Sequence, residues 1–401
     1  MLNATAKTYQ KAFSGLSKQT WLLSFIMLIN RSGTMVVPFM TLYLTSPKMG
    51  YTIGQAGFVF GLFGAGAFSG AWLGGRLTDK IGFYPVQLFT LAGGGLLFIG
   101  LGQMQTYSLI CVFTFLLSFV NEAFRPANST AIASYSAEGN RTRSYALNRL
   151  AINLGWAVGS GLGGFLAHKN YELLFWVDGL TNLAAALMLW LLLKPVKNDS
   201  PKKRKSVDTK IQPAHHDRVY IFFIICTMLF ACCFFQLFTN LPVFFKKEFH
   251  FSEPFIGSLM ALNGLIITLV EMILIYKLEG KQRSLVFISS GVFIVGLSFL
   301  MLNLNGAEAA IATGMIILVT FGEIFSMPFM NSYWIERTQP ENRGQYAALF
   351  TMAWSAAQTL GPMGGAQVVQ HFGFSVLWWA VGVLCIIVAL LFRKLNSVKS
   401  N

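Results

Sequence analysis

Charge is scarce in this chain: Asp, Glu, Lys and Arg make up 11% of its 401 residues, and only 16 of those are acidic. A water-soluble protein of this length needs a larger polar surface, so water is excluded as the solvent for most of the chain. Histidine and cysteine are sparse as well, at 5 residues each. Cys111, Cys226, Cys232, Cys233 and Cys385 lie inside apolar runs without C-x-x-C or ligand spacing, which excludes an iron–sulfur or zinc centre built from them. No G-x-x-x-x-G-K-[ST] loop offers a basis for ATP drive, and no H-E-x-x-H or nucleophile constellation points to hydrolysis. The expectation is a protein that is not an enzyme and uses neither cofactor nor metal.

Apolar residues fill the space: 54% of the chain is hydrophobic and the mean hydropathy is +0.57. Apolar runs of roughly 18 to 25 residues recur from end to end, each long enough to cross a ~30 Å hydrocarbon layer at about 1.5 Å per residue. Strands of a membrane barrel would instead show ~10-residue alternating segments. The pattern predicts an all-α polytopic membrane protein with twelve spans, at 21–44, 54–77, 85–103, 107–133, 145–167, 171–193, 219–245, 254–277, 284–303, 309–335, 345–368 and 372–392. The first begins at Trp21 behind a polar, lysine-bearing start with no small-residue cleavage site, so it is expected to be retained.

The formal net charge of +14 resembles a nucleic-acid signal until the charges are placed. With the amino terminus in the cytoplasm, the outer side carries only Lys48, Lys169, Lys246 and Lys247, and nearly all other basic residues fall inside. This positive-inside bias puts both termini in the cytoplasm of a bacterial-type inner membrane. The basic charge then serves topology and contact with anionic inner-leaflet lipids, not nucleic acid.

Residues 194–218, which include Lys202-Lys203-Arg204-Lys205, form the one long polar stretch and read as a cytoplasmic linker. It separates an N-terminal six-helix bundle at 1–193 from a C-terminal one at 219–401. The halves resemble each other at an offset near 200. Gly57 and Gly64 fall opposite Gly257 and Gly264, and Asp79 opposite Glu279. Glu122 falls opposite Glu323, Pro126 opposite Pro328, and Gly163-Gly164 opposite Gly364-Gly365. A parallel repeat suits a carrier in which two bundles rock around a central site.

After span 2 the chain reads Gly75-Arg76-Leu77-Thr78-Asp79-Lys80-Ile81-Gly82-Phe83-Tyr84-Pro85. This resembles the loop signature of the major facilitator superfamily, G-x-L-x-D-(R/K)-x-G, with Phe83-Tyr84 in place of the usual basic pair. The resemblance covers nearly the whole chain and implies two pseudo-symmetric six-helix bundles. It also implies a gating role for Gly75, Asp79, Lys80 and Gly82, with Asp79 helping to hold the outward-facing state. Span 5, Gly155-Trp156-Ala157-Val158-Gly159-Ser160-Gly161-Leu162-Gly163-Gly164, resembles the G-x-x-x-G-P-x-x-G-G signature of the superfamily's proton-driven drug exporters, with Ser160 at the proline position. Span 11 has Gly361-Pro362-Met363-Gly364-Gly365. Gly159, Gly163, Gly164, Gly361 and Pro362 therefore join the gating candidates, although small residues at these spacings also serve plain packing.

Charges far from the span ends should face a polar interior, because an unpaired one in lipid is costly. Arg31 lies near the middle of span 1 and needs an acidic partner, water, or a carboxylate or phosphate of the cargo. Glu122 and Arg125 share a helical face at i,i+3 in span 4, either as a static pair or as one broken during transport. Glu323 in span 10 has no basic residue within a helical turn, which makes it the first candidate for proton coupling, ahead of Glu271 and Glu122. Asp178 reads as an outer gate or an interfacial residue. Arg31, Arg125, Asn30, Asn121, Gln236, Asn240, Asn331 and Trp354 are the candidate substrate-binding groups, with Phe235 and Phe238 as further aromatics.

The combined expectation is a secondary active transporter, able to work as a monomer, that exports small lipophilic or cationic compounds against protons by rocking alternating access. The alternatives are a proton-coupled importer of small peptides or another zwitterion or organic anion, and a nontransporting membrane receptor or assembly factor. The peptide reading lacks a full E-x-x-E-R-F signature, since Phe25 through Arg31 reads Phe-Ile-Met-Leu-Ile-Asn-Arg.

Overall fold

A computed structural model describes residues 15–136, 141–195, 214–278, 281–338 and 342–397. Residues 196–213 of the linker and Glu279 lie outside these ranges. The described chain is helical: α1 (Lys18–Ser32), α2 (Val36–Leu44), α3 (Ile53–Ile81), α4 (Phe83–Gly102), α5 (Tyr107–Tyr135), α6 (Arg141–Lys169), α7 (Glu172–Leu192), α8 (Arg218–Phe234), α9 (Asn240–Lys247), α10 (Glu253–Leu278), α11 (Ser284–Leu300), α12 (Glu308–Glu336) and α13 (Arg343–Ser397). Short 3-10 turns occur at Ala214–His216, Phe235–Phe238 and Met301–Asn303. The described residues contain no strand.

Eleven helical stretches among the described residues are long and apolar enough to cross a membrane. The last, Gln345–Asn396, is 52 residues long, more than twice what one crossing of about 20 residues needs. It turns at Gly373, whose φ of 84° and ψ of 172° lie where side chains are disfavoured. The two expected spans at 345–368 and 372–392 therefore meet with almost no loop, and the crossings number twelve. Gly82, at φ 89°, makes a similarly abrupt junction between α3 and α4.

Two spans expected to be continuous are interrupted. Span 1 breaks at residues 33–35 between α1 and α2, and span 7 breaks through the 3-10 turn Phe235–Phe238 before α9. Pro38 and Pro242 stand just inside the helices that resume, where a missing N–H costs least.

The fold is two pseudo-symmetric six-helix bundles, and the same neighbours recur in each. Helix α1 packs on α6 as α8 does on α13, while α4 packs on α5 and α7 as α11 does on α12 and α13. By compactness the chain separates into Met1–Val36 with Gly66–Lys202, and Val37–Ala65 with Lys203–Asn401, counting their described residues. The first unit is centred on Leu23, Ile26, Phe83, Phe124, Ile132 and Leu189, contributed by α1, α4, α5 and α7. The surface is apolar: Phe89, Leu96, Trp190, Leu191 and Phe372 are all exposed, as expected of side chains whose solvent is lipid.

Helix α3 uses glycines on two faces. Along its later half, a Cβ on Gly66, Gly70 or Gly74 would lie 2.5, 2.0 and 2.4 Å from the carbonyl oxygens of Phe115, Phe119 and Ala123 in α5. Along its earlier half, Gly57 and Gly61 meet Ala366 and Met363 of α13, and the Gly54 amide donates to Gln370 Oε1 at 2.8 Å. Gly75 has open space where its side chain would be, so at this end of α3 the close helix approach is made by Gly74 and not by Gly75.

Candidate functional site

In the first unit, Arg31 occupies the last turn of α1. Its placement follows from glycine on the facing helix. A Cβ on Gly155 would lie 2.6 Å from Arg31 Cβ, and one on Gly159 would lie 2.9 Å from the Ser32 carbonyl oxygen. Arg31 is half-buried, and its Nε is buried with no hydrogen-bond partner among the described residues. It lies within electrostatic reach of both Glu122 and Arg125. Those two form an ion pair of 2.9 Å, with the Glu122 side chain 14% exposed and that of Arg125 70% exposed. Two guanidinium groups and one carboxylate leave an excess positive charge at membrane depth.

The neighbouring amides are structural partners. Asn30 donates to Asn182 Oδ1 at 2.9 Å, and Asn182 in turn donates to the Asp178 carbonyl at 2.8 Å. Asn121 packs against the backbone of Gly94, where a Cβ would meet its Oδ1 at 2.1 Å. Asp79 and Lys80 are exposed at the end of α3. Gly163 and Gly164 are buried in α6.

In the second unit, Glu323 is half-buried in α12 and accepts from Asn263 Nδ2 at 3.3 Å, while the same amide donates to Thr320 Oγ1 at 2.9 Å. Glu271 is buried on α10. At the break of span 7, Gln236 faces neighbouring backbone and Asn240 faces Gln236. Gln236 Nε2 donates to the carbonyls of Cys232 at 3.0 Å and Gly361 at 2.8 Å, and Asn240 Nδ2 donates to Gln236 Oε1 at 2.6 Å. A Cβ on Gly361 or Gly365 would collide with Cys232 or Gln236. By contact, then, Gly155 and Gly159 are the counterparts of Gly361 and Gly365, a different register from the Gly163-Gly164 match suggested by sequence offset. Pro362 is buried beside them.

Trp354 stands among Phe230, Phe234, Phe235 and Phe350, with ring centroids 6.4, 6.3, 6.0 and 6.3 Å away. Phe238 extends this group through Phe234 at 5.4 Å. The Trp354 Nε1 is buried without a hydrogen-bond partner among the described residues. Asn331 is exposed and accepts from Trp334 Nε1 at 3.3 Å.

One cluster was not anticipated. Asp217, read as part of the solvated linker, accepts two bonds from Arg337 at 2.6 and 2.9 Å, one from the Tyr346 hydroxyl at 3.0 Å, and one from the Tyr220 amide at 3.0 Å. It caps α8 and joins the starts of α8 and α13 to the end of α12. The signal was present, since Asp directly before an apolar run is a helix-start residue. Burial pushes the Asp217 carboxyl up, but the hydrogen bonds from Arg337, Tyr220 and Tyr346 outweigh it and hold it below the ordinary value. The hydrogen bond to Asp217 raises Arg337, so it stays charged throughout.

A lowered folded value means stability that is present above the unfolded carboxylate value, about 3.9, and lost as pH falls through the folded one. Asp217→Asn should lower stability by about 1 to 2 kcal/mol near neutral pH, a partly exposed pair being discounted for screening. Thermal unfolding in detergent should show the gap between variant and wild type closing in acid. A gap independent of pH would contradict the ionic account.

A profile of the Major Facilitator Superfamily matches residues 20–362. The MFS-type transporter YqjV of Bacillus subtilis is 21% identical over 373 residues, covering 90% of this chain and 89% of its own. The quinolone resistance protein NorA of Staphylococcus aureus is 21% identical over 398 residues, covering 96% and 98%. Among solved structures, a POT family transporter in complex with 5-aminolevulinic acid superposes with a TM-score of 0.78 at 14% identity, over 95% of this chain and 96% of that one.

Proposed function

Because the chain belongs to the major facilitator superfamily and is a secondary transporter, not an enzyme, we propose that it carries a small zwitterion or organic anion, such as a short peptide, inward together with protons. The observation that carries this reading is Arg31: a membrane-depth guanidinium with a buried, unpartnered Nε, next to a Glu122–Arg125 pair that leaves positive charge in excess. Arginine presents planar, paired donors that match a carboxylate, so an anionic group on the cargo would complete this site. Protons are carried by Glu323, a half-buried carboxylate held by Asn263, with Glu271 and Glu122 as the further coupling candidates. The basic bias of the polar segments places both termini in the cytoplasm.

A second reading, export of lipophilic cations against protons, has its own support in the aromatic group around Trp354 and in the likeness to NorA. Aromatic faces attract cations and apolar rings.

Flux into proteoliposomes under an imposed pH gradient separates the two, with alanylalanine and ethidium as probes and an internal pH reporter. Inward alanylalanine moving with protons, and loss of its response to the gradient in Glu323→Gln, is the expected result. Ethidium moving against protons would transfer the assignment to export. An unchanged gradient response in Glu323→Gln would remove Glu323 from coupling.

A further inference from the structure

The breaks in spans 1 and 7 are equivalent in the repeat but are held by different chemistry. In span 7 the bonding is neutral: Gln236, itself in the break, bonds to Cys232, Gly361 and Asn240. In span 1 the restraint comes from another helix and is an acid. Asp178 of α7 has no solvent exposure, and its two carboxylate oxygens accept the Met35 amide at 3.0 and 3.1 Å and the Val36 amide at 2.8 Å. The Met35 amide also reaches the Gly33 carbonyl at 2.9 Å, so the Val36 amide is the donor that a helix starting there would otherwise leave unsatisfied in a medium without water. Full burial puts the Asp178 side chain inside the first unit.

The neighbours of Asp178 grip the same few residues. A Cβ on Gly33 would lie 1.8 Å from Thr181 Oγ1, and Asn182 holds Asn30. One turn of α7, Asp178 to Asn182, therefore bounds the segment that contains Arg31 on both sides, while Gly155 and Gly159 close it from α6. The boundary between the two compact units also falls here, between Val36 and Val37.

We propose that Asp178 is a positioning residue: its carboxylate fixes the break in span 1 and thereby the direction in which Arg31 leaves α1. The proposal rests on the reading of Arg31 as the group that meets the cargo's negative charge. A carboxylate suits this task because it accepts from two successive amides at once, which one amide oxygen of an asparagine does less well. Without it the chain is free to close the break into a continuous helix, and each residue gained or lost in a helix turns the preceding side chain by about 100° relative to the rest.

The test compares the full-length protein with Asp178→Asn, which keeps the shape but removes the charge and one acceptor. Amide hydrogen exchange is followed on peptides covering residues 31–38, with 234–241 at the second break as internal control. Reaction of Arg31 with phenylglyoxal is followed by mass spectrometry, and alanylalanine uptake by its half-saturation and maximal rate. The expected result is exchange over 31–38 faster by about tenfold or more, several-fold altered Arg31 modification, and an unchanged control break. Half-saturation should rise while the maximal rate is largely kept.

Unchanged exchange over 31–38, or equal acceleration at both breaks, overturns the proposal. Altered exchange and Arg31 reactivity with unchanged half-saturation supports the positioning of Arg31 and overturns instead its reading as the cargo's partner. If Asp178→Asn does not fold, the unmodified protein decides. There the Met35 and Val36 amides should exchange as slowly as those of the flanking helices, and rapid exchange would overturn the proposal.

Discussion

Alanine at Gly70 is expected to destabilise the protein by about 1 to 3 kcal/mol, or to prevent its accumulation, while alanine at Gly75 on the same helix should be neutral or slightly stabilising. The added methyl at Gly70 would lie 2.0 Å from the Phe119 carbonyl oxygen and 2.8 Å from Phe119 Cα. Both are backbone atoms of α5, so no rotamer change relieves the clash and the two helices must separate. Separation loses contacts along Gly66 and Gly74 as well, in a membrane where helix association depends on close packing, with no hydrophobic drive between helices. At Gly75 a methyl enters open space, and the higher helix propensity of alanine, worth up to about 1 kcal/mol, is not offset. Thermal unfolding of the two variants in one detergent decides it. Equal midpoints would mean that the α3–α5 contact is looser than its geometry implies.

Arg31→Ala should raise the half-saturation for alanylalanine by about 10- to 150-fold, since a hydrogen bond to a charged group contributes about 1.5 to 3 kcal/mol. Arg31→Lys should recover only part of this, because a point charge does not reproduce the planar, paired donors. Arg125→Ala should matter less: its side chain is 70% exposed, and its 2.9 Å partner Glu122 is its nearest ionic contact on the same helix. The order alanine at 31, lysine at 31, alanine at 125 is the informative result, measured on protein with matched folded yield. If Arg31→Ala keeps the wild-type half-saturation, the cargo does not meet this guanidinium, and the excess charge there belongs to the protein's own packing.

Much of the architecture was legible because lipid imposes it. Twelve apolar segments, their lengths and the half repeat need only local composition, and the Glu122–Arg125 pair follows from helical periodicity. The breaks at 33–35 and 235–239 were not legible, since what stabilises them is remote: Asp178 for one, Gly361 for the other. Gln236 shows the same limit. An amide in an apolar span reads as a cavity group, yet periodicity cannot tell a side chain facing a cavity from one bonded to the backbone of the next helix. Asp217 was hidden by composition, because the adjoining polar stretch drew it into the linker although its position before Arg218-Val219-Tyr220 carries a capping signal.

Residues Val37–Ala65 lie early in the chain but pack with Lys203–Asn401. A ribosome delivers the amino-terminal part first, so these residues enter the bilayer long before their packing partners exist. Until α13 arrives, the face of α3 that carries Gly57 and Gly61 has no Ala366 or Met363 to meet, and the Gly54 amide has no Gln370. Assembly of this protein is therefore not the completion of one half followed by the other. The stretch of α13 that precedes Gly373, made about 300 residues later, is what gives the earlier half of α3 its final place.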